Sequence, residues 1–252
     1  MPYHGCVFIS IAGGEAAGKK TVMAGLKSKL LAIGPFPKLK ITTLHMTDFM
    51  RELDDSEIAA ATDGKLDLEK IGAFDLDLMA ETIERLMKGQ RDVETPSLDF
   101  KGKKRQRSIV VEEAPDVVIA EGCYLLTHKK LVDLATVKIF VDCDPDVRLA
   151  RKVIRDQEER SLGLDFILDQ YVRHSKPAFE QTILPTKNVS DIILPAGAEG
   201  SGVELIAHGV MDDIKGKRKR VSISHSASHT LLPLTLSEAD LTTGVPSYYQ
   251  AV

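Results

Sequence analysis

Residues 7 to 22 read VFISIAGGEAAGKKTV: an apolar run, a glycine-rich turn and then a pair of lysines. Gly13, Gly18 and Lys19 fall on the phosphate-loop pattern G-x-x-x-x-G-K-[ST]. The chemistry of such a loop is the holding of a polyphosphate tail, as in ATP. Glycines let backbone N–H groups crowd around the phosphates, and the following helix presents its positive end. The lysine reaches the β- and γ-phosphates. The candidate phosphate-binding set is Gly13, Gly14, Glu15, Ala16, Ala17, Gly18, Lys19, Lys20 and Thr21.

Two of these residues depart from what the chemistry asks. Lys20 stands where a Ser or Thr hydroxyl normally holds the magnesium ion, and an ammonium has no lone pair to offer. At ~4 Å and an effective dielectric of ~20, a unit-charge pair is worth about 4 kcal/mol, so an inward Lys20 would oppose a divalent ion. Thr21 could supply the hydroxyl, but it lies about 100° further round the helix. Glu15 puts a carboxylate beside the triphosphate, which is unfavourable unless it faces solvent.

The elements that position this loop follow from the pattern of apolar residues. Val7 to Ala12 is a short apolar run bounded by glycine, hence a buried strand. A helix from Lys19 to about Ala32 follows, ended by GPFPK. KITTLH is a second strand, and FDLDLMAETIERLMKG has helical spacing up to Gly89. VETPSLDF and RSIVVEEA, joined by KGKKRQ, form a hairpin over about 93–113. DVVIAEG and VKIFVDCD are core strands, and PDVRLARKVIRDQEER is a helix with Pro145 in its first turn. More helix is expected from Leu164 to Glu180, broken near Pro177, then a strand in SDIILP and a helix in GVELIAHGVMDDI. Strands alternating with helices predict a three-layer α/β fold: a parallel core sheet, helices on both faces and a protruding hairpin.

The 252 residues suffice for one large α/β domain or two small ones, and the net charge of −4 does not suggest a general nucleic-acid binder. Cys6, Cys123 and Cys143 have no C-x-x-C spacing and are expected as buried, reduced thiols. The seven histidines, His45 among them, show no metal spacing. No signal peptide or membrane-length apolar run is visible, so a cytoplasmic protein is expected. The domain is expected to span 1–214, with 215–252 as a basic and then Ser-rich tail. KGKRKR at 215 to 220 could serve nuclear import or nucleic-acid binding, or direct phosphorylation to Ser222 and Ser224; a solvated helix end is an equal reading. KGKKRQR at 101 to 107 could contact RNA, though a solvated turn is the plainer reading.

From the loop onward, over about residues 5 to 214, the chain resembles the uridine–cytidine kinases within the uridine kinase/phosphoribulokinase group. DVVIAEG, IFVDCDPDVRLARKVIRDQEER and FILDQYVRHSKPAFEQTILPTKNVSDIILP carry the resemblance. It implies a five-stranded parallel sheet, a hairpin closing over the nucleoside, and frequent tetramers. The implied activity is 5′-phosphorylation of uridine or cytidine with ATP or GTP and magnesium. Glu121 matches the acid that supports the metal through water, Arg155 and Arg160 match lid arginines, and Gln170 matches a glutamine near the nucleoside.

The acceptor side departs from that resemblance. The family's Q-D-S-F-Y becomes MTDFM, so Thr47 replaces the base, Met50 replaces the tyrosine, and Asp48 is the nearest substitute carboxylate. Glu69 falls where an Asp binds the ribose. Leu98 falls where a tyrosine stacks, and Lys103 where a histidine reads the base. Lys152 and Leu162 replace lid arginines. These groups act together in phosphoryl transfer. The sequence therefore reads first as a uridine-kinase-like protein with impaired or lost nucleoside phosphorylation and a regulatory or binding role, with magnesium in doubt. The alternative is an active ATP-dependent kinase acting on uridine, cytidine or an altered acceptor hydroxyl. Expected partners are a nucleotide and a protein, with RNA and self-association weaker expectations.

Overall fold

A computed structural model of the chain describes residues 5–33, 39–54, 56–57, 60, 70–99, 104–195 and 201–226; at 97–99, 104–109 and 217–226 only the backbone is described. Five strands form one parallel sheet: β1 (Val7–Gly13), β2 (Ile41–His45), β5 (Val117–Glu121), β6 (Val137–Asp142) and β7 (Ile192–Pro195). Their order is β2-β5-β1-β6-β7, with β3 (Val93–Asp99) and β4 (Lys104–Val111) forming a separate antiparallel hairpin. The hairpin register shifts between Thr95 and Ser97, at Pro96, where a proline can be tolerated because the ladder is already interrupted.

The strands are apolar almost throughout because both faces are covered. Alternate residues point to opposite faces. Val7, Ile9 and Ile11 of β1 and Val117 and Ile119 of β5 join one core. That core is closed by helix α1 (Lys19–Ile33) and the last helix, α7 (Gly202–Ser226), through Val22, Leu26, Leu30, Val203, Ala207 and Val210. Phe8, Ala12, Val118, Ala120 and Phe140 face the other way, against helix α2 (Leu76–Met87). Leu76, Met79, Ala80, Ile83, Leu86 and Met87 are its buried apolar positions, at helical spacing. Asp75 caps it by accepting a hydrogen bond from the Leu78 N–H at 2.9 Å. Each fully buried Leu or Ile here contributes about 1.5–3 kcal/mol relative to exposure.

Three local expectations need correction. The helical run after Gly163 does not break at Pro177. Helix α5 (Leu164–Gln170) passes through a π-helical turn (Tyr171–Ser175), helix α6 (Lys176–Ala178) and a second π turn (Phe179–Ile183). Pro177 lies inside this continuous run, where the preceding wide turn spaces its ring from earlier carbonyls. Helix α7 does not stop at Ile214 but runs to Ser226 through the basic KGKRKR. Cys6 is buried, but Cys123 and Cys143 are only half-buried; all three are free thiols. Among the described residues, no helix is long and apolar enough to cross a membrane.

Candidate functional site

The loop after β1 sits at the carboxyl ends of the strands, where the chain diverges to build β5 and β2 on one side and β6 and β7 on the other. Open α/β sheets bind ligands at this position. Gly13 has φ +145°, and a Cβ there would stand 2.5 Å from the Val141 carbonyl oxygen, so only glycine fits against β6. A Cβ on Gly14 would meet the Arg148 guanidinium at 2.5 Å. Arg148, from helix α4 (Pro145–Arg160), is buried, donates from Nε to the Cys143 carbonyl at 3.1 Å, and lies 3.7 Å from the Phe179 ring centroid. It braces the loop from behind. The sequence reading passed over it, although an arginine early in a helix that opens beside a strand end was the available signal.

The loop closes on itself through the Ala17 N–H, which donates to the Gly14 carbonyl at 3.2 Å, while Ala16 takes a left-handed φ of 57°. The Gly18 carbonyl accepts the Val22 N–H at 3.0 Å, starting α1. Lys19 is buried, and its ammonium bridges the loop. It donates to the Gly14 carbonyl at 2.7 Å and to Cys123 Sγ at 3.3 Å. Burial pushes the Cys123 thiol up despite the nearby ammonium, so it stays a neutral acceptor at physiological pH. Lys20 and Thr21 are both exposed, so the second lysine does not turn into the core of the loop.

Glu121 ends β5 directly beside Ile11 of β1 and His45 of β2 in the strand register. His45 Nδ1 lies 2.8 Å from Glu121 Oε1. Burial alone would raise the Glu121 pKa. The hydrogen bond from His45 and the charges of Lys19 and Lys20 outweigh that, holding the carboxyl below its usual range. His45 is a site residue that metal-ligand spacing could not find. Its signal was its place as the last residue of the second strand.

The other wall of the loop is helix α4. Glu15 does not face solvent, as the sequence reading required of it. Its carboxylate lies 2.9 Å from Lys152 Nζ and 2.5 Å from an Arg155 guanidinium nitrogen. The reason is charge: the ion pairs offset the cost of burying the group, and its pKa falls to about 2. Burial opposes that fall, while the charges and hydrogen bonds of Lys152 and Arg155 prevail. Buried Asp156 completes the cluster, 3.2 Å from Lys152, 2.8 Å from Arg155 and 3.3 Å from Arg160. Lys152 and Arg155 therefore stand against the loop through Glu15, while Arg160 is exposed further along α4 and contacts Asp156.

The residues expected on the acceptor side are less completely described. Thr47 and Asp48 are half-buried in a single 3₁₀ turn (Met46–Phe49), where consecutive side chains diverge by about 120°. Met50 bridges to Phe74. Gln170 is half-buried at the end of α5. Leu98 pairs with Arg105 in the hairpin backbone, while Glu69 and Lys103 lie outside the described residues, as do 101–103 of the basic hairpin tip and residues 227–252.

Among the described residues, no group of three or more His, Cys, Asp or Glu side chains could hold a metal ion. Glu15 and Asp156 are tied up by the α4 cations; Glu121, bonded to His45, is the carboxylate at the end of β5, and Lys20 puts an exposed ammonium where a hydroxyl ligand belongs. Glu121 is the residue here that would support a magnesium ion held mainly by phosphate oxygens and water, and Lys20 offers it no ligand.

A strand, phosphate loop and helix at the centre of a parallel five-stranded sheet, with cations from a neighbouring helix, define a phosphate-loop protein of the kinase type. Residues 8–201 match the model of the Phosphoribulokinase / Uridine kinase family, and the chain belongs to that family. It is 34% identical to Uridine-cytidine kinase 2-B of Danio rerio over 211 residues, covering 82% of this chain and 80% of that protein. It is 35% identical to a uridine kinase of Streptococcus gordonii over 213 residues, 84% of this chain and 97% of that one. In fold it is similar to a protein of Silicibacter sp. TM1040 assigned as a fructose transport system kinase. The TM-score is 0.61 at 22% identity, covering 77% of this chain and 91% of that one.

Proposed function

We propose that the chain is an ATP-dependent kinase of the uridine kinase kind, transferring a phosphoryl group to an acceptor hydroxyl of the nucleoside class. The observation that carries this is the folded phosphate side. Lys19 spans the loop, Lys152 and Arg155 of α4 stand beside it, and Arg160 lies further along the same helix. Loop amides and Lys19 hold the polyphosphate tail, and the lid cations offset charge that spreads over the equatorial oxygens during transfer. The acceptor oxygen attacks the γ-phosphorus as the bond to the leaving diphosphate breaks. The acceptor proton passes to a carboxylate, and Asp48 takes that role because the Thr47 hydroxyl cannot act as a base near neutral pH. Uridine and cytidine are the first acceptors to test, because relatives named for them align along most of the chain.

A second reading has its own observation. Lys20 and Thr47 replace two groups of the transfer machinery, and Glu15 already pairs with lid cations. On this reading the chain binds nucleotide, without ordinary turnover, in a regulatory role. Calorimetric titration of ATP, with and without magnesium, followed by a uridine and cytidine phosphorylation assay separates the two. Turnover on the order of 1–100 s⁻¹ supports the kinase. In that case Asp48→Asn lowers kcat by about 10²–10⁴ and leaves ATP affinity unchanged. Tight ATP binding with no acceptor-stimulated ATP consumption supports the second reading.

A further inference from the structure

We infer that Glu15 is an internal counter-ion seated on the lid cations, which a polyphosphate ligand must displace before it can engage Lys152 and Arg155. The inference rests on the reading of the loop as the site of a nucleotide's phosphate tail.

Glu15 belongs to the loop, and Lys152 and Arg155 belong to α4, so their contact ties together two elements that a bound phosphate would otherwise bridge. A carboxylate oxygen and a phosphate oxygen make the same charge-assisted hydrogen bonds to ammonium and guanidinium groups. The two therefore compete for the same donors. Asp156 cannot play this part. It lies on α4 with the cations and is almost wholly buried, so it moves with them. Lys152, Arg155 and Arg160 carry three positive charges against two from Glu15 and Asp156. The cluster as it stands is near balance, and freeing Glu15 leaves it one charge more attractive to phosphate. Simply breaking a buried pair strands a charge, whereas exchanging carboxylate for phosphate keeps every cation paired. The exchange is therefore feasible, and it weakens binding of the incoming ligand by the strength of the contact it replaces.

The test uses the full chain, with ATP and inorganic tripolyphosphate as probes in magnesium-free buffer, followed by calorimetry. Glu15→Gln is expected to bind both probes about tenfold more tightly than the wild type, the change expected of one competing charge pair worth about 1.4 kcal/mol. Arg155→Gln is expected to cost less than about threefold in the wild type, where Glu15 occupies the guanidinium. In the Glu15→Gln background it should cost about tenfold. A Glu15 that only braces the lid gives a different pattern: Glu15→Gln binds both probes equally or more weakly, whatever its melting temperature, and that result overturns the inference. Should Glu15→Gln fail to fold, Arg155→Gln alone still decides, since a loss of about tenfold in the wild type contradicts an occupied guanidinium. If wild type and variant bind ATP alike, the inference fails and the nucleotide site stands. If both are folded by thermal melt and neither binds either probe, the nucleotide site fails and the inference with it.

Discussion

The two walls of the site are built differently. On the phosphate side the parts are fixed by backbone fit and buried charge. Gly13 lies against Val141, Lys19 is bonded to Gly14, and Glu15 is locked to Lys152 and Arg155. On the proposed acceptor side one 3₁₀ turn carries Thr47 and Asp48. It is tied down by backbone bonds from Asp75 N–H to the Phe49 carbonyl at 2.8 Å and from Arg51 N–H to the Ala73 carbonyl at 2.9 Å. Phosphate is the same in every nucleotide, so backbone donors and a few cations suffice to bind it. An acceptor is told apart by side chains, which can change while the fold stays intact. The departures at Thr47 and Met50 sit on that replaceable wall, whereas Lys20 and Glu15 sit on the fixed one and alter its charge.

The largest expected effect comes from breaking the fixed wall. Gly13→Ala places a methyl 2.5 Å from the Val141 carbonyl in a backbone region that L-residues avoid. Overpacking and backbone strain together predict a loss of about 3 kcal/mol in stability. Nucleotide affinity should fall by about 100-fold, since the loop can no longer follow β1, a misfit of about 2.7 kcal/mol. A chemical denaturation curve and a fluorescent-nucleotide titration check both numbers. Retention of normal affinity would mean that the loop is not as rigid as its contacts imply.

Acid should weaken the same wall next. The Glu15 carboxyl falls from 4.5 to about 2 on folding, and that of Glu121 is lowered as well. A depressed carboxylate stabilises the fold above its unfolded pKa, and that stabilisation is lost as pH falls through the folded pKa. The window for Glu15 therefore runs from about pH 5 down to about pH 2, and its contribution at neutral pH is on the order of 3 kcal/mol. Urea unfolding at stepped pH should show stability falling through this window. Glu15→Gln should flatten the curve while lowering its neutral plateau. A parallel curve for the variant would show that Glu15 is not among the groups responsible.

This contrast also explains what could be read from the sequence. The strands, the loop and helix α4 were legible because short continuous apolar runs, a fixed glycine spacing and a proline in the first helical turn encode them directly. The match of Arg155 and Arg160 to lid arginines came from resemblance, and Arg155 lies against Glu15 of the loop. The partnership of His45 with Glu121 was not legible, because it depends on β2 and β5 being neighbours, which no local pattern states. Glu15 was read as solvent-facing for the same reason. Its partners lie 137 and 140 residues away, and a carboxylate in a phosphate loop looks unfavourable until those cations are brought against it. Pro177 misled because a proline rule for α-helices was applied to a run that widens into π turns.

The smallest expected effect concerns Lys20, and it asks whether the fixed wall still has room for a metal. Lys20 is exposed, so Lys20→Ser should change stability by no more than about 0.5 kcal/mol. What it changes is local chemistry. It removes a positive charge felt by Glu121 and restores a hydroxyl with lone pairs at the first turn of α1. Magnesium bound with ATP would then meet one favourable ligand and one fewer like charge. The ratio of ATP affinity with magnesium to that without should rise by about tenfold in Lys20→Ser, or about 1.4 kcal/mol. In the wild type the ratio should lie close to one. Calorimetric titrations in buffer containing magnesium or a chelator give both ratios. A wild-type ratio already well above one would show that the metal finds its ligands elsewhere, among phosphate oxygens and water, and that Lys20 is a surface residue of no consequence to it.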